Sequence, residues 1–314
     1  MRVDAVTAVA DNRSVVITGA SRGLGLATAA HLHGSGWTVL AAMRSPEQGL
    51  ERIRGITGSD LGDQRLIGVH LDLDDPDSIA TASQAIQDAV GSPDGLVHNA
   101  GIAGVGCLEE MPMSVWEQIF STDFFGPVRL TRELLPMMRN AGRGRIIMVS
   151  SQGAIRGMPA IGAYSAAKGA LERWAESLSQ EIAPFGLGVS VLVAGTFKTD
   201  ILELTTTYAD RDGPYAQHHA ALERFGGRFL RFAAPPERFA PAVAKALDDR
   251  RPFSRQTVGA DARLLGLGNR LLPTRLLQRI TCRAIGIPAA GALRDHALRT
   301  ASISTAVNER EASD

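Results

Sequence analysis

Tyr164 and Lys168 stand four positions apart in the stretch YSAAK. On a helix such residues share a face, so a phenol would lie beside an ammonium group. One reading is an exposed surface pair. The other is proton chemistry: a phenol with a pKa of about 10 is a poor base at neutral pH, and a neighbouring cation favours its ionised form. A second group of residues concerns phosphate. Gly19, Gly23 and Gly25 follow the β-branched run SVVIT and precede the helical stretch LATAAHLHGSGW. Glycine admits positive φ and, lacking a side chain, lets a ligand approach the backbone. A helix N-terminus then offers free N–H groups to an anion. A plain tight turn is the competing reading of the glycines.

Positioning such groups takes a scaffold. Short apolar runs at 14–18, 38–43, 66–73, 95–101, 144–151 and 188–195 alternate with helical patterns such as PDSIATASQAIQDAV and AAKGALERWAESLSQEIA. That alternation predicts βαβ units and a parallel sheet, with right-handed crossovers. RQTVGADA reads as a last edge strand and turn, and PPERFAPAVAKALDD as a helix with prolines near its start. The fold class expected is α/β: one Rossmann-type, doubly wound parallel sheet with a helical C-terminal extension. Its catalytic domain would span 1–262, with the extension and a polar tail over 263–314.

The motifs together resemble the short-chain dehydrogenase/reductase family. TGASRGLG has the family's T-G-x-x-x-G-x-G spacing, and YSAAK its Tyr–Lys pair. HNAG at 98–101 resembles N-N-A-G, with His98 replacing the first asparagine. Ser151, thirteen residues before Tyr164, matches the family's serine. AGTFKTD resembles P-G-x-x-x-T, with Ala194 in place of proline. The resemblance runs from about Ser14 to about Ala262.

It implies an oxidoreductase moving hydride between a nicotinamide cofactor and a carbonyl or alcohol. Tyr164 would exchange the proton, Lys168 would favour phenolate and hold the nicotinamide ribose, and Ser151 would hold the substrate oxygen. Cofactor contacts are implied for Gly19, Ser21, Arg22, Gly23, Leu24, Gly25, Asp72, Leu73, Asn99, Ala100, Gly101, Gly195, Phe197 and Thr199, and for Tyr164 and Lys168 themselves. A fold that takes NAD usually ends its second strand on a carboxylate. Here that strand ends AAMRS, so Arg44, with Arg22 in the turn, points to a 2′-phosphate and NADP(H). Asp123, in STDFFGPVRL, replaces the family's asparagine and joins the catalytic candidates. It would either pair with Lys168 or make other contacts at a helix kink. His98 reads as packing or hydrogen bonding.

Segment 200–234 is the family's variable substrate loop. Leu202, Leu204, Tyr208, Tyr215, Phe225, Phe229 and Phe232 make it apolar, which suits a steroid-, retinoid- or long-chain-like ketone. A 3-oxoacyl-carrier reductase is the enzymatic alternative, and a non-catalytic NADPH-binding sensor the alternative of another class. His218-His219 raises the question of a metal. Neighbours on a helix diverge and no cysteine or carboxylate cluster accompanies them in sequence, so no metal is expected. Lys plus Arg and Asp plus Glu number 33 each, and the chain gives no sign of a nucleic-acid partner. Two cysteines among 314 residues favour a reducing compartment. The absence of a signal-peptide pattern or spanning stretch in the sequence leads to an expected cytoplasmic location. The arginine–leucine stretch 263–290 would pack on the protein rather than lie on a membrane, and a homo-oligomer is implied by the resemblance alone.

Overall fold

The seven strands of the main sheet are nearly all apolar because both faces are covered by helices, as a parallel sheet requires. The structure, a computed structural model, describes residues 13–200 and 205–294. Its strands are β1 (Ser14–Thr18), β2 (Thr38–Met43), β3 (Leu66–His70), β4 (Gly95–His98), β5 (Gly104–Gly106), β6 (Gly144–Ser151), β7 (Leu187–Ala194), β8 (Thr206–Tyr208) and β9 (Phe253–Val258). The large sheet has the order β3-β2-β1-β4-β6-β7-β9, and every pair is parallel. The order reverses between β1 and β4, the place where doubly wound sheets open a crevice at their C-terminal strand ends.

The helices are α1 (Gly23–Gly34), α2 (Pro46–Thr57), α3 (Pro76–Val90), α4 (Met113–Phe120), α5 (Gly126–Ala141), α6 (Gln152–Ile155), α7 (Gly162–Ile182), α8 (Ala216–Leu230), α9 (Ala240–Leu247), α10 (Ala260–Leu271) and α11 (Thr274–Ile285). One core layer holds Leu130, Leu134, Leu171 and Leu178 from α5 and α7 against one sheet face. The other holds Ala29, Leu32, Ile53, Val243 and Leu247 from α1, α2 and α9 against the opposite face. Burial at about 25 cal/mol per Å² of apolar surface makes these two layers the main source of stability.

Two features go beyond the sequence reading. Strands β5 and β8 form a separate parallel pair, with Gly104 opposite Thr206. Segment 200–234 also contains a full helix, α8. The ends of this excursion are pinned together, since Lys198 N donates to the Ala234 carbonyl and Ala234 N to that of Thr196. Leu202, Leu204, the Phe229 side chain, the first twelve residues and the tail from 295 lie outside the described residues.

Candidate active site

The turn after β1 is built around close backbone contacts. Gly19 has a φ of +66°, and a Cβ there would come within 2.8 Å of Ala100 Cα. A Cβ on Gly25 would lie 2.3 Å from the Gly19 carbonyl oxygen, inside contact distance. Thr18, absent from the sequence candidates, is the turn's clasp. Its hydroxyl accepts from Asn99 N and Ala100 N, each at 3.0 Å, and Asn99 Nδ2 donates to the Thr18 carbonyl at 2.9 Å. The N-terminus of α1 has no side-chain cap and no acid in its first turn, so its N–H groups and dipole remain available to a phosphate.

Arg22 and Arg44 are both exposed at the sheet's C-terminal edge, after the adjacent strands β1 and β2. No carboxylate ends β2; Met43, Arg44 and Ser45 follow in order. Arg52 adds a third guanidinium, donating to the Ser21 carbonyl at 3.2 Å. Asp72 is half-buried and held by Asp74 N, which donates to its carboxylate at 3.1 Å. Leu73 is buried beside it. Phe197 is also buried, its ring edge-on to Phe239 at 5.5 Å, so its outward contribution is backbone. Gly195 lies against the Asp261 carboxylate, which accepts from Thr196 N at 2.7 Å and so fixes the loop leading to Thr199. These features fit a dinucleotide: a phosphate cradle of glycines, a free helix N-terminus and cations at the ribose end.

Tyr164 and Lys168 lie one turn apart on α7, with the Lys168 nitrogen 5.7 Å from the phenol ring centre. Ser151, the last residue of β6, lies beside Tyr164, whose ionised form it favours, and accepts from Gly153 N at 3.2 Å. Helix α7 is held in register by Glu172, one turn past Lys168. Its buried carboxylate accepts from the Ser150 hydroxyl at 2.7 Å and from Arg255 Nε at 2.8 Å.

Asp123 does pair with Lys168. Between α4 and α5 the chain widens into one π-helical turn, Ser121–Phe125, and Asp123 sits in it with no exposed surface. Such turns re-aim side chains and recur at functional sites. One carboxylate oxygen accepts from Ile102 N at 2.8 Å; the other is 3.1 Å from Lys168 Nζ. Gly101 flanks both groups, since a Cβ there would meet the carboxylate at 2.9 Å and the ammonium at 3.1 Å. Burial disfavours the Lys168 ammonium, but Asp123 and Tyr164 outweigh it and raise the lysine. Burial raises the Asp123 carboxyl against the pull of Lys168.

Lys168 does favour the Tyr164 phenolate, as expected, but its pull does not prevail. Burial raises Tyr164, and Asp123 raises it further; Lys168 and Ser151 only offset part of this. His98 is a buried packing residue, hydrogen-bonded to Thr131 Oγ1 at 2.8 Å, and desolvation pushes its imidazole down to about 3. Tyr164 packs, together with Ile102, Val115, Trp116, Phe120 and Tyr208, against the apolar cluster of Met111, Ile119, Ala163 and Ala167.

The expectation that no cysteine or carboxylate accompanies His218-His219 is corrected by the fold. His219 is buried, and a cysteine and a carboxylate do accompany it: Cys107, Glu110 and His219 bring their donor atoms within 4.8 Å of one another. His219 Nε2 is 2.7 Å from Glu110, whose carboxylate also accepts from Cys107 N and Asp210 N. Burial, then Glu110, pushes the Cys107 thiol up to about 11. The cluster reads as a latch joining α8 to the loop after β5.

The short chain dehydrogenase family profile matches residues 13–209, more than half of the chain. The chain is a short-chain dehydrogenase. An uncharacterized oxidoreductase of Escherichia coli (strain K12), YbbO, is 33% identical over 272 residues, covering 85% of this chain and 93% of its own. Retinol dehydrogenase 5 of Mus musculus is 29% identical over 299 residues, 89% of this chain and 91% of its own. The crystal structure of a short-chain dehydrogenase from Streptomyces avermitilis superposes with a TM-score of 0.74 at 30% identity, covering 89% of this chain and all of the other. The Rossmann-type fold, an oxidoreductase acting on CH–OH or C=O and the use of a nicotinamide cofactor follow from this membership.

Proposed function

We propose that this short-chain dehydrogenase interconverts a lipophilic ketone or aldehyde and its alcohol with NADP(H). The observation that carries the reading is the buried Lys168 ammonium one turn from Tyr164, with Ser151 beside the phenol. The bound nicotinamide supplies or accepts the hydride. Ser151 holds the substrate oxygen and stabilises the charge that grows on it. Tyr164 gives that oxygen its proton in reduction and takes one in oxidation. Because burial raises Tyr164, the phenol is protonated at neutral pH, the form that serves carbonyl reduction. Lys168, kept charged by Asp123, anchors the ribose and compensates the developing phenolate.

The preference for NADP(H) is supported by Arg22, Arg44 and Arg52 around the turn and by the missing carboxylate after β2. A lipophilic substrate is supported by the apolar cluster against which Tyr164 packs and by the likeness to a protein named for retinol. The domain reading stands as part of this proposal: residues 1–262 carry the chemistry, and α10 and α11 are an extension of it. The sensor reading has one observation in its favour, the pairing of the Lys168 ammonium with Asp123; repeated turnover of any carbonyl rules it out.

The test compares wild type with Arg44→Ala and Tyr164→Phe. Arg44→Ala should cut the ratio of kcat/KM for NADPH over NADH by about tenfold, the loss of one strong charge-assisted contact. Tyr164→Phe should keep NADPH binding and lose turnover. An unchanged cofactor ratio refutes the assignment of NADP(H), and an active Tyr164→Phe refutes the proton donor.

A further inference from the structure

Helices α10 and α11 show water a surface of an unusual kind. On α10, Leu264, Leu267 and Leu271 form one stripe and are 73%, 54% and 67% exposed. On α11, Leu276 and Ile280 are 45% and 47% exposed, and Ala284 continues their line. Ala284 shares a shallow cavity with Phe225, Arg228 and Phe232, and Phe232 is itself 87% exposed. Scattered exposed apolar residues are ordinary, but a contiguous band marks a contact surface.

Arginines flank the band. Arg263, Arg270, Arg275, Arg279 and Arg283 are exposed, and none has an ion pair among the described residues. The one acid within the two helices is Asp261, and it is turned inward onto Thr196 N. In a chain whose net charge is zero, this corner is therefore strongly basic.

The two helices carry arginines and apolar stripe in the same order around their axes. At about 100° per residue, going around α10 one passes the arginines, then the leucine stripe, then Gly268. Around α11 the same sense passes the arginines, then Leu276 and Ile280, then Leu277. A Cβ on Gly268 would be 3.4 Å from Leu277, and the two positions are equidistant from the short Leu272–Pro273 link. The link turns α11 back toward α10. On both helices the exposed apolar stripe lies between the arginines and the face turned to the other helix. Long arginine side chains beyond that stripe are placed to reach past buried leucines toward charged headgroups.

We propose that α10 and α11 dock the protein onto the surface of an anionic lipid bilayer, with the leucines entering the headgroup region and the arginines pairing with phosphates. A second copy of the chain is the poorer occupant, because a two-fold contact would set one cluster of unpaired arginines against another. No described helix is long and apolar enough to cross a membrane, so the contact is peripheral. It is independent of the redox chemistry. It does lie next to the substrate segment, because α11 packs on α8.

The experiment is co-sedimentation of the full chain with vesicles of phosphatidylcholine alone or with one third phosphatidylglycerol, at low and high salt. Binding to the anionic vesicles only, weakened by salt, is expected. Arg275→Gln and Arg279→Gln should each weaken it roughly fivefold, the worth of one basic residue at such a surface. Leu267→Ser and Leu271→Ser should weaken it without changing the melting temperature, since both side chains are exposed. Failure to bind anionic vesicles overturns the proposal. So does binding that the arginine variants leave unchanged. A self-association that the leucine variants abolish would instead assign the face to a second copy and also overturn it.

Discussion

At the residue scale the centre of interest is the carboxylate of Asp123. It is fully buried and lies 3.1 Å from the ammonium on which the proton chemistry depends. Its charge raises Tyr164 as well as Lys168. Asp123→Asn keeps an acceptor for Ile102 N and removes the charge, so Tyr164 should become more acidic. Alcohol oxidation needs phenolate and rises with pH; its midpoint should move to lower pH in the variant. Carbonyl reduction needs the phenol, and its alkaline decline should move the same way. Superimposable pH profiles would show that Asp123 has no electrostatic hold on the tyrosine. For stability the sign follows from Lys168. Its value is raised in the fold, so its contribution is complete at neutral pH, below the ordinary ammonium value, and is lost as pH climbs through the raised one. Asp123 is raised too, so protonation by acid is easier in the folded chain than in the unfolded one and does not undo the fold. Lys168→Met strands a buried carboxylate and should cost on the order of 3 kcal/mol in urea unfolding. Asp123→Asn with Lys168→Met should recover most of that loss; a double variant as unstable as the sum of the singles would mean the two groups are not coupled. Ser151, Tyr164 and Lys168 were legible because their spacing is local and fixed. The raised phenol was not, because the cost of burial depends on Met111, Ile119, Phe120 and other residues far along the chain.

At the scale of elements, the turn from β1 to α1 is the most sharply specified part of the molecule. Gly25→Ala would drive a methyl group to 2.3 Å from the Gly19 carbonyl oxygen and 2.5 Å from Asn99 Nδ2. The turn must open, and NADPH affinity should fall by about tenfold or more while the sheet survives, read as a raised Kd with an unchanged far-ultraviolet circular dichroism spectrum. Normal affinity would mean that the turn does not carry the phosphate. The strands of the main sheet were readable because strands buried on both faces must be continuous apolar runs. The β5–β8 pair was not, since three-residue strands carry no period, and its partners are about a hundred residues apart. The His219–Glu110–Cys107 contact was missed for the same reason: adjacent histidines in the sequence say nothing of a carboxylate supplied from residue 110.

At the scale of the whole molecule, the sheet's C-terminal edge collects the chemistry. Glycines, arginines and the ends of β1, β2 and β4 form one side; Ser151, Tyr164, Lys168 and Asp123 form the other. The order of elements along the chain announced that edge, because a doubly wound sheet places its crevice where the strand order reverses. The apolar character of the substrate segment was legible as composition, but its helix and its anchoring were not. The central claim is reduction of a lipophilic carbonyl with NADPH, and the direct measurement is steady-state NADPH and NADH consumption by wild type across ketones and aldehydes from small polar ones to retinoid-, steroid- and long-chain-sized ones. The account predicts repeated turnover, faster with NADPH than with NADH, and a kcat/KM that rises with the apolar size of the substrate. Turnover confined to small polar ketones, or faster with NADH, would contradict it.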